Sequence, residues 1–185
     1  MSSLLGFGVI STDDLGEAAR AVTDPVGHAD LHAFQAQDHR EYYIAHSVVE
    51  LINDAQRAHR AFWPAIRSVI RAHLHWGRPA IIEGWAILPD LVAQAGFNEV
   101  SALWLDVPAA SIESRVRADV GFYGGASDPE RMIRQFVGRS VAFSSWLQQQ
   151  TSTLRLPYLQ LSGTESPDEV AELCLRTIGV NSAVN

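Results

Sequence analysis

Lysine does not occur in this sequence; all 14 of its basic side chains are arginine. A loop that meets phosphate charge through a lysine therefore cannot be built from it. Cysteine occurs once, as Cys174, which excludes an internal disulfide. No cysteine or histidine stands beside it at metal-ligand spacing, so a reducing, cytoplasmic setting is expected, with Cys174 a small buried residue of a C-terminal helix. Long hydrophobic runs are missing too. No stretch reaches the roughly 18 consecutive apolar residues of a membrane span, and no basic flank precedes the first apolar run, so neither an anchor nor secretion is expected. Positive charge is in deficit, with a formal net charge of −7 and a pI near 5.4, which argues against general nucleic-acid binding and leaves room only for a local basic pocket.

Two further absences narrow the chemistry. Gly-x-Ser-x-Gly is not found, so hydrolysis through an activated serine has no support. The histidines form no zinc constellation: His28 and His32 lack the glutamate that would follow the first of such a pair, and His73 and His75 point to different helix faces. No metal site is assigned.

What is present fits one compact α/β domain over residues 1–185, with 47% of residues apolar. Residues 4–11 are rich in strand formers and end at Thr12-Asp13-Asp14, a good helix start. Residues 38–75 repeat apolar positions at helical spacing, with Pro64 marking a start or kink. Gly77-Arg78-Pro79 ends that helix and leads into Ala80-Ile81-Ile82, an apolar run of the kind buried on both faces of a sheet. Residues 100–107 read as a strand and 109–118 as a helix. Residues 121–129 form a glycine-rich loop and 130–150 a helix, followed by a strand over 157–161. Ser166-Pro167-Asp168-Glu169 is a capping-box signature for a last helix through Arg176. Strands alternating with helices predict a parallel sheet with helices on both faces.

In such sheets chemistry gathers beyond the carboxyl ends of the strands. That rule selects Thr12, Asp13 and Asp14 after the first strand, Glu83 and Gly84 after the second, Asp106 at the end of the third, and Ser162-Gly163-Thr164 after the last. Asp13 and Asp14 serve equally well as helix-starting carboxylates. Glu83 after an apolar strand is costly to bury unless it meets a cation, a metal-bound water or a substrate hydroxyl. Gly84 lets a ligand approach the backbone. Arg115, Arg131, Arg134 and Arg139 read either as solvated helix surface or as lid arginines around residues 119–130, able to close over phosphoryl oxygens. Trp76, Trp85 and Trp104 stand near strand ends, where aromatics either fill the core or line a substrate pocket.

Val9-Ile10-Ser11-Thr12-Asp13-Asp14-Leu15 resembles the strand-to-helix segment that follows the P-loop helix in 2-phosphoglycerate kinase-like and adenylate-kinase-like proteins of the P-loop superfamily. Ile81-Ile82-Glu83-Gly84 with Leu88-Pro89 is similar to their next segment. Asp106-Val107-Pro108 leading to Arg115 resembles the following strand and the start of the lid, and residues 139–143 resemble the lid's end. The resemblance implies ATP-dependent phosphoryl transfer with Mg2+. Asp13 or Asp14 would lie near the acceptor hydroxyl or metal and Glu83 near the metal-bound water. Thr12, Gly84 and Trp85 would lie at the small-molecule substrate, and Thr164 would border the adenine pocket. Arg115, Arg131, Arg134 and Arg139 would act on the nucleotide or moving phosphoryl group.

The family places a strand and Gly-x-x-x-x-Gly-Lys-Ser/Thr before this segment, whereas only residues 1–7 precede it here. The expectation is an N-terminally truncated kinase homologue, inactive as it stands. An in-frame upstream Gly-Lys-Ser/Thr would test the start. Gly16 also replaces a family arginine that holds an anionic group. The missing strand lies centrally in the family, between those at Ala80 and at residues 100–107. Its loss exposes two edges, with a loosened sheet, rearranged pairing, or a homo-oligomer or other partner covering the gap as the outcomes. Two other readings stay open: a non-catalytic ligand- or partner-binding relative, and a nucleotide-independent α/β enzyme acting on a phosphorylated substrate.

Overall fold

The computed structural model describes residues 1–33 and 38–179. In chain order its elements are α1 (Ser2–Leu5), β1 (Gly8–Ser11), α2 (Thr12–Ala21), α3 (Ala29–His32), α4 (His39–Ala45), α5 (Val48–Trp76), β2 (Ala80–Glu83), α6 (Pro89–Ala95), β3 (Trp104–Asp106), α7 (Ala109–Ala118), α8 (Val120–Tyr123), α9 (Pro129–Leu154), β4 (Tyr158–Gln160) and α10 (Pro167–Thr177). The architecture is mixed α/β, mostly helical, and every strand pairing is parallel.

The strands do not join into the single sheet that the sequence predicts. They form two separate ladders, β1 with β2 and β3 with β4. In the first, Gly8 pairs with Ala80 and Ser11 with Glu83; in the second, Trp104 pairs with Tyr158 and Asp106 with Gln160. Nor are the strands buried on both faces: Val9 is 52% exposed and Leu105 45%. Each strand of a two-stranded ladder keeps one edge of backbone groups unpaired, and side chains on a face that no helix covers stay in contact with water.

Helix ends follow local chemistry. The apolar pattern over 38–75 is split at His46–Ser47, because Ser47 Oγ accepts from Glu50 N–H at 3.3 Å while the Glu50 carboxylate accepts from Ser47 N–H at 2.8 Å. That reciprocal cap starts α5 afresh. Pro64 lies inside α5, and Gly77 closes it in the left-handed conformation, φ 61°. The expected strand over 4–11 shortens to Gly8–Ser11, with α1 and a left-handed Gly6 (φ 67°) before it. The capping box at Ser166 and Glu169 is formed, and Cys174 is buried in α10.

The long helices α5 and α9 pack together, and α9 also meets α4, α6, α7 and both strands of the second ladder. One face of α5 buries Leu51, Ala55, Ala58, His59, Phe62, Trp63 and Ile66. Phe62, Trp63 and Ile66 share a core cluster with Leu31 and Ala86, against which Leu15, Ile70 and Leu91 pack. No helix among the described residues is long and apolar enough to cross a membrane.

Candidate functional site

The register of the first ladder sets Ser11 opposite Glu83, so the residues following them meet at one end. Thr12 begins α2 and is 2% exposed; its Oγ1 is buried without a hydrogen-bond partner. Gly84 has φ 136°, and a Cβ there would sit 1.7 Å from Thr12 Oγ1 and 2.9 Å from Thr12 Cβ. The close approach that glycine permits at this position is thus the approach of Thr12, a neighbour within the fold. A buried hydroxyl without a partner costs roughly 1–3 kcal/mol, so Thr12 Oγ1 is a free polar atom at the strand ends.

Asp13 and Asp14 are exposed on the first turn of α2. The Asp13 N–H donates to Ser11 Oγ at 3.2 Å, and both carboxylates complement the helix N-terminus. Glu83 is exposed, which corrects the argument from burial: the open ladder lets its carboxylate reach water, so it needs no cation. Gly16 lies under Arg20, whose Nη1 is 3.2 Å from where a Cβ would stand. A guanidinium one turn along α2 therefore covers the position where an arginine was expected.

Trp85, 40% exposed, leads from this end into a cluster the sequence reading did not assemble. Its ring meets the His59 ring edge-on at 4.2 Å and lies 6.1 Å from Phe143. The Arg139 guanidinium stands 4.6 Å from the Trp85 ring, 4.8 Å from Phe136 and 5.6 Å from Tyr43. Arg139 is 8% exposed. Its Nη2 donates to the Tyr43 hydroxyl at 2.8 Å, its Nε has no partner, and among the described residues no carboxylate lies within ion-pair distance of it.

Burial disfavours the charged forms here. It pulls the Arg139 pKa below its ordinary value, opposed by Tyr43, and it raises the Tyr43 phenol, opposed by Arg139. His59, 5% exposed, is lowered to about 4, first by burial and then by the charge of Arg139. His59 is neutral at pH 7, and its Nδ1 has no partner. Three polar atoms without partners, Thr12 Oγ1, His59 Nδ1 and Arg139 Nε, belong to residues that touch Gly84 or Trp85. Rings solvate a guanidinium partly, by roughly 0.5–2 kcal/mol each, but bring no opposite charge.

The other arginines stand apart from this cluster. Arg131 and Arg134 are exposed on the first turns of α9, where Asp128 accepts from the Arg131 N–H, and Arg115 is exposed on α7. Residues 119–130 include α8 and are held by α4: Arg40 Nη1 donates to the Gly124 carbonyl at 2.6 Å, and the Glu41 carboxylate accepts from Ser127 N–H at 2.8 Å and Ser127 Oγ at 2.7 Å. His39 Nε2 lies 2.9 Å from the Phe122 carbonyl.

At the second ladder, Thr164 is exposed and its Oγ1 shares a 2.7 Å hydrogen bond with Ser162 Oγ. The Glu165 carboxylate, held at about 2 by hydrogen bonds led by Ser162 N–H, ties that loop. A cavity of about 230 Å3 opens beside Asp106, Pro108, Ser144, Gln148 and Gln160, Gln160 Nε2 donates to the Asp106 carboxylate at 3.5 Å, and the Tyr158 phenol is raised first by burial and then by the nearby Asp106 carboxylate. Trp104 is core, its Nε1 donating to the Ile87 carbonyl at 2.8 Å. No group of three or more metal-ligating side chains placed to hold an ion occurs among the described residues.

Sequence reasoning missed His59 and Tyr43. His59 had a signal: it falls on the apolar face of α5, four residues from Ala55 and from Trp63, where a polar side chain must find a partner or stay neutral. Tyr43 had none, since its partner Arg139 lies 96 residues away. No family model, curated protein or solved structure matches the chain.

Proposed function

We propose that this chain is a homologue of the P-loop small-molecule kinases that binds a small hydroxylated, phosphate-accepting molecule at the carboxyl ends of β1 and β2. The observation that carries the reading is the juxtaposition of Thr12-Asp13-Asp14 with Glu83-Gly84-Trp85, through the Ser11–Glu83 register and the contact of Thr12 with Gly84. These are the two segments the family resemblance assigns to one substrate site. Parallel pairing in both ladders and an acidic group at the ends of β2 and β3 agree with it. Under this reading the unpaired edges of β2 and β3 flank the position of the family's central strand.

ATP and Mg2+ are the cofactors the resemblance implies, and the residues present do not fit a triphosphate. The groups exposed at the first ladder's end are the carboxylates Asp13, Asp14 and Glu83, which repel phosphate, and no lysine is present to meet its charge. Phosphoryl transfer from ATP is therefore not assigned to these 185 residues. Asp13 and Asp14 accept hydrogen bonds from a substrate hydroxyl, and Trp85 gives the molecule an apolar wall.

Calorimetry with ATP and Mg2+, alongside a phosphoryl-transfer assay over a panel of small hydroxylated acceptors, tests the reading. The expected result is no tight ATP binding and no transfer, with binding of one hydroxylated panel member that is lost in Asp13→Asn/Glu83→Gln. Tight ATP binding or turnover by this chain overturns the non-catalytic half. A panel with no ligand, or a ligand indifferent to the double variant, overturns the site.

A further inference from the structure

We propose that Arg139 anchors a binding site for a small-molecule oxyanion, phosphate or carboxylate, and that the Tyr43 hydroxyl occupies the ligand's place on its guanidinium. The kinase resemblance assigns Arg139 to the nucleotide or moving phosphoryl group, whereas this site rests on the surroundings of Arg139 in the structure and needs neither ATP nor the carboxylates after β1 and β2.

Nε and Nη2 of a guanidinium form one edge, with two parallel N–H groups that match two oxygens of a carboxylate or phosphate. Tyr43 offers that edge one oxygen, 2.8 Å from Nη2, and Nε is left buried without a partner. A ligand with two oxygens satisfies both donors at once and brings the negative charge that no described residue supplies within ion-pair distance. A buried cation without a counter-charge is the arrangement in which an arriving anion gains most, because water screens neither partner.

Trp85 and Phe136 hold the guanidinium at 4.6 and 4.8 Å from their rings, which fixes the direction of its donors. His59 stands against Trp85 with Nδ1 unpartnered and offers a further hydrogen bond to an oxygen or hydroxyl next to the anionic group. Trp85 keeps 40% of its surface in water and so marks the side open to solvent. Tyr43 is carried by α4, a helix of seven residues that packs on α9, is bonded to α5 through the Tyr42 hydroxyl and Asp54 at 2.6 Å, and meets residues 119–130 through Arg40 and Glu41. Only the Tyr43 hydroxyl has to leave the guanidinium for a ligand oxygen to take its place.

The test titrates the chain at constant ionic strength with inorganic phosphate and, separately, with acetate, following tryptophan fluorescence and the melting temperature; Trp85→Phe assigns the fluorescence signal. A saturable response to at least one anion is expected, absent in Arg139→Met and about tenfold tighter in Tyr43→Phe, since the competing hydroxyl is gone. The tighter anion identifies the ligand group as phosphoryl or carboxylate. No saturable response in either wild type or Tyr43→Phe overturns the proposal, as does a response that survives Arg139→Met. If Arg139→Met does not fold, Tyr43→Phe decides by itself: tightening supports the site, and unchanged or weaker binding overturns it. Anion binding at Arg139 with no effect of Asp13→Asn/Glu83→Gln would leave this site standing while the kinase reading fails; the reverse pattern separates them in the other direction.

Discussion

Arg139 Nη2 donates a 2.8 Å hydrogen bond to the hydroxyl of Tyr43, while Nε of the same guanidinium is buried without a partner. A side chain held in this way is expensive for the fold, and that cost can be measured. Arg139→Met removes a desolvated charge that lacks a counter-ion and keeps an unbranched apolar stem. Because the single change orphans the Tyr43 hydroxyl, the double variant Arg139→Met/Tyr43→Phe is the one expected to be more stable than wild type, by about 1–4 kcal/mol in anion-free buffer, as when other buried polar pairs are replaced whole by apolar residues. Urea denaturation checks it, and a loss of stability would show that the guanidinium is a structural strut.

His59 makes stability depend on pH. In the unfolded chain it takes up a proton below its ordinary 6.5, whereas the folded chain resists until about 4. Between those values the unfolded state holds the extra proton, so stability falls as pH falls, by about 1.4 kcal/mol per pH unit from this group. His59→Phe removes that slope. Denaturation of both proteins at pH 7, 6 and 5 should therefore show the variant gaining on wild type at each step down.

Gly84→Ala meets two obstacles, a φ of 136° and Thr12 Oγ1 at 1.7 Å from the new Cβ. We expect a loss of at least about 2 kcal/mol from backbone strain and overpacking. Gly96→Ala is the control, since Gly96 has φ 64° with nothing within 4 Å, and it should cost about 1 kcal/mol. Thr12→Ala in the Gly84→Ala background should recover part of the loss by removing the hydroxyl. Melting temperatures of the four proteins settle the comparison.

The contact between α4 and residues 119–130 is expected to loosen in acid. Hydrogen bonds from Ser127, its hydroxyl first and its backbone N–H second, hold the Glu41 carboxyl below its usual value of 4.5. A depressed carboxyl contributes above its ordinary value, and the contribution is lost as pH falls through the lowered one. Glu41→Ala should speed proteolytic cutting within 124–128 several-fold at neutral pH and leave the melting temperature unchanged, because the bonds are at the surface.

Much of the local structure was legible one residue at a time. Gly77 ends α5, Ser166 and Glu169 cap α10, Pro108 precedes α7, and Ala80–Glu83 is a strand, because caps, turns and apolar runs act within a few residues of each other. Boundaries were less exact. The helical pattern over 38–75 hid the break that Ser47 and Glu50 impose, and residues 100–103 stayed outside β3, since strand length is set by the partner strand. For the site, strand-end reasoning picked out Thr12 and Gly84, and the structure brings them into contact. The same reasoning treated Glu83 as buried, because it assumed a sheet covered on both faces.

By itself, then, the sequence determined an arginine-only, acidic α/β chain, the order of its four strands and longest helices and the strand ends where polar groups would collect, for these follow from composition and short-range periodicity. Only the tertiary structure decided that the strands pair as two ladders, and that Arg139, Tyr43, His59 and Trp85 come from α9, α4, α5 and the turn after β2 to enclose one cation without a counter-charge. Burial and partnership of a charge are properties of elements packed across long stretches of chain, and no local pattern encodes them.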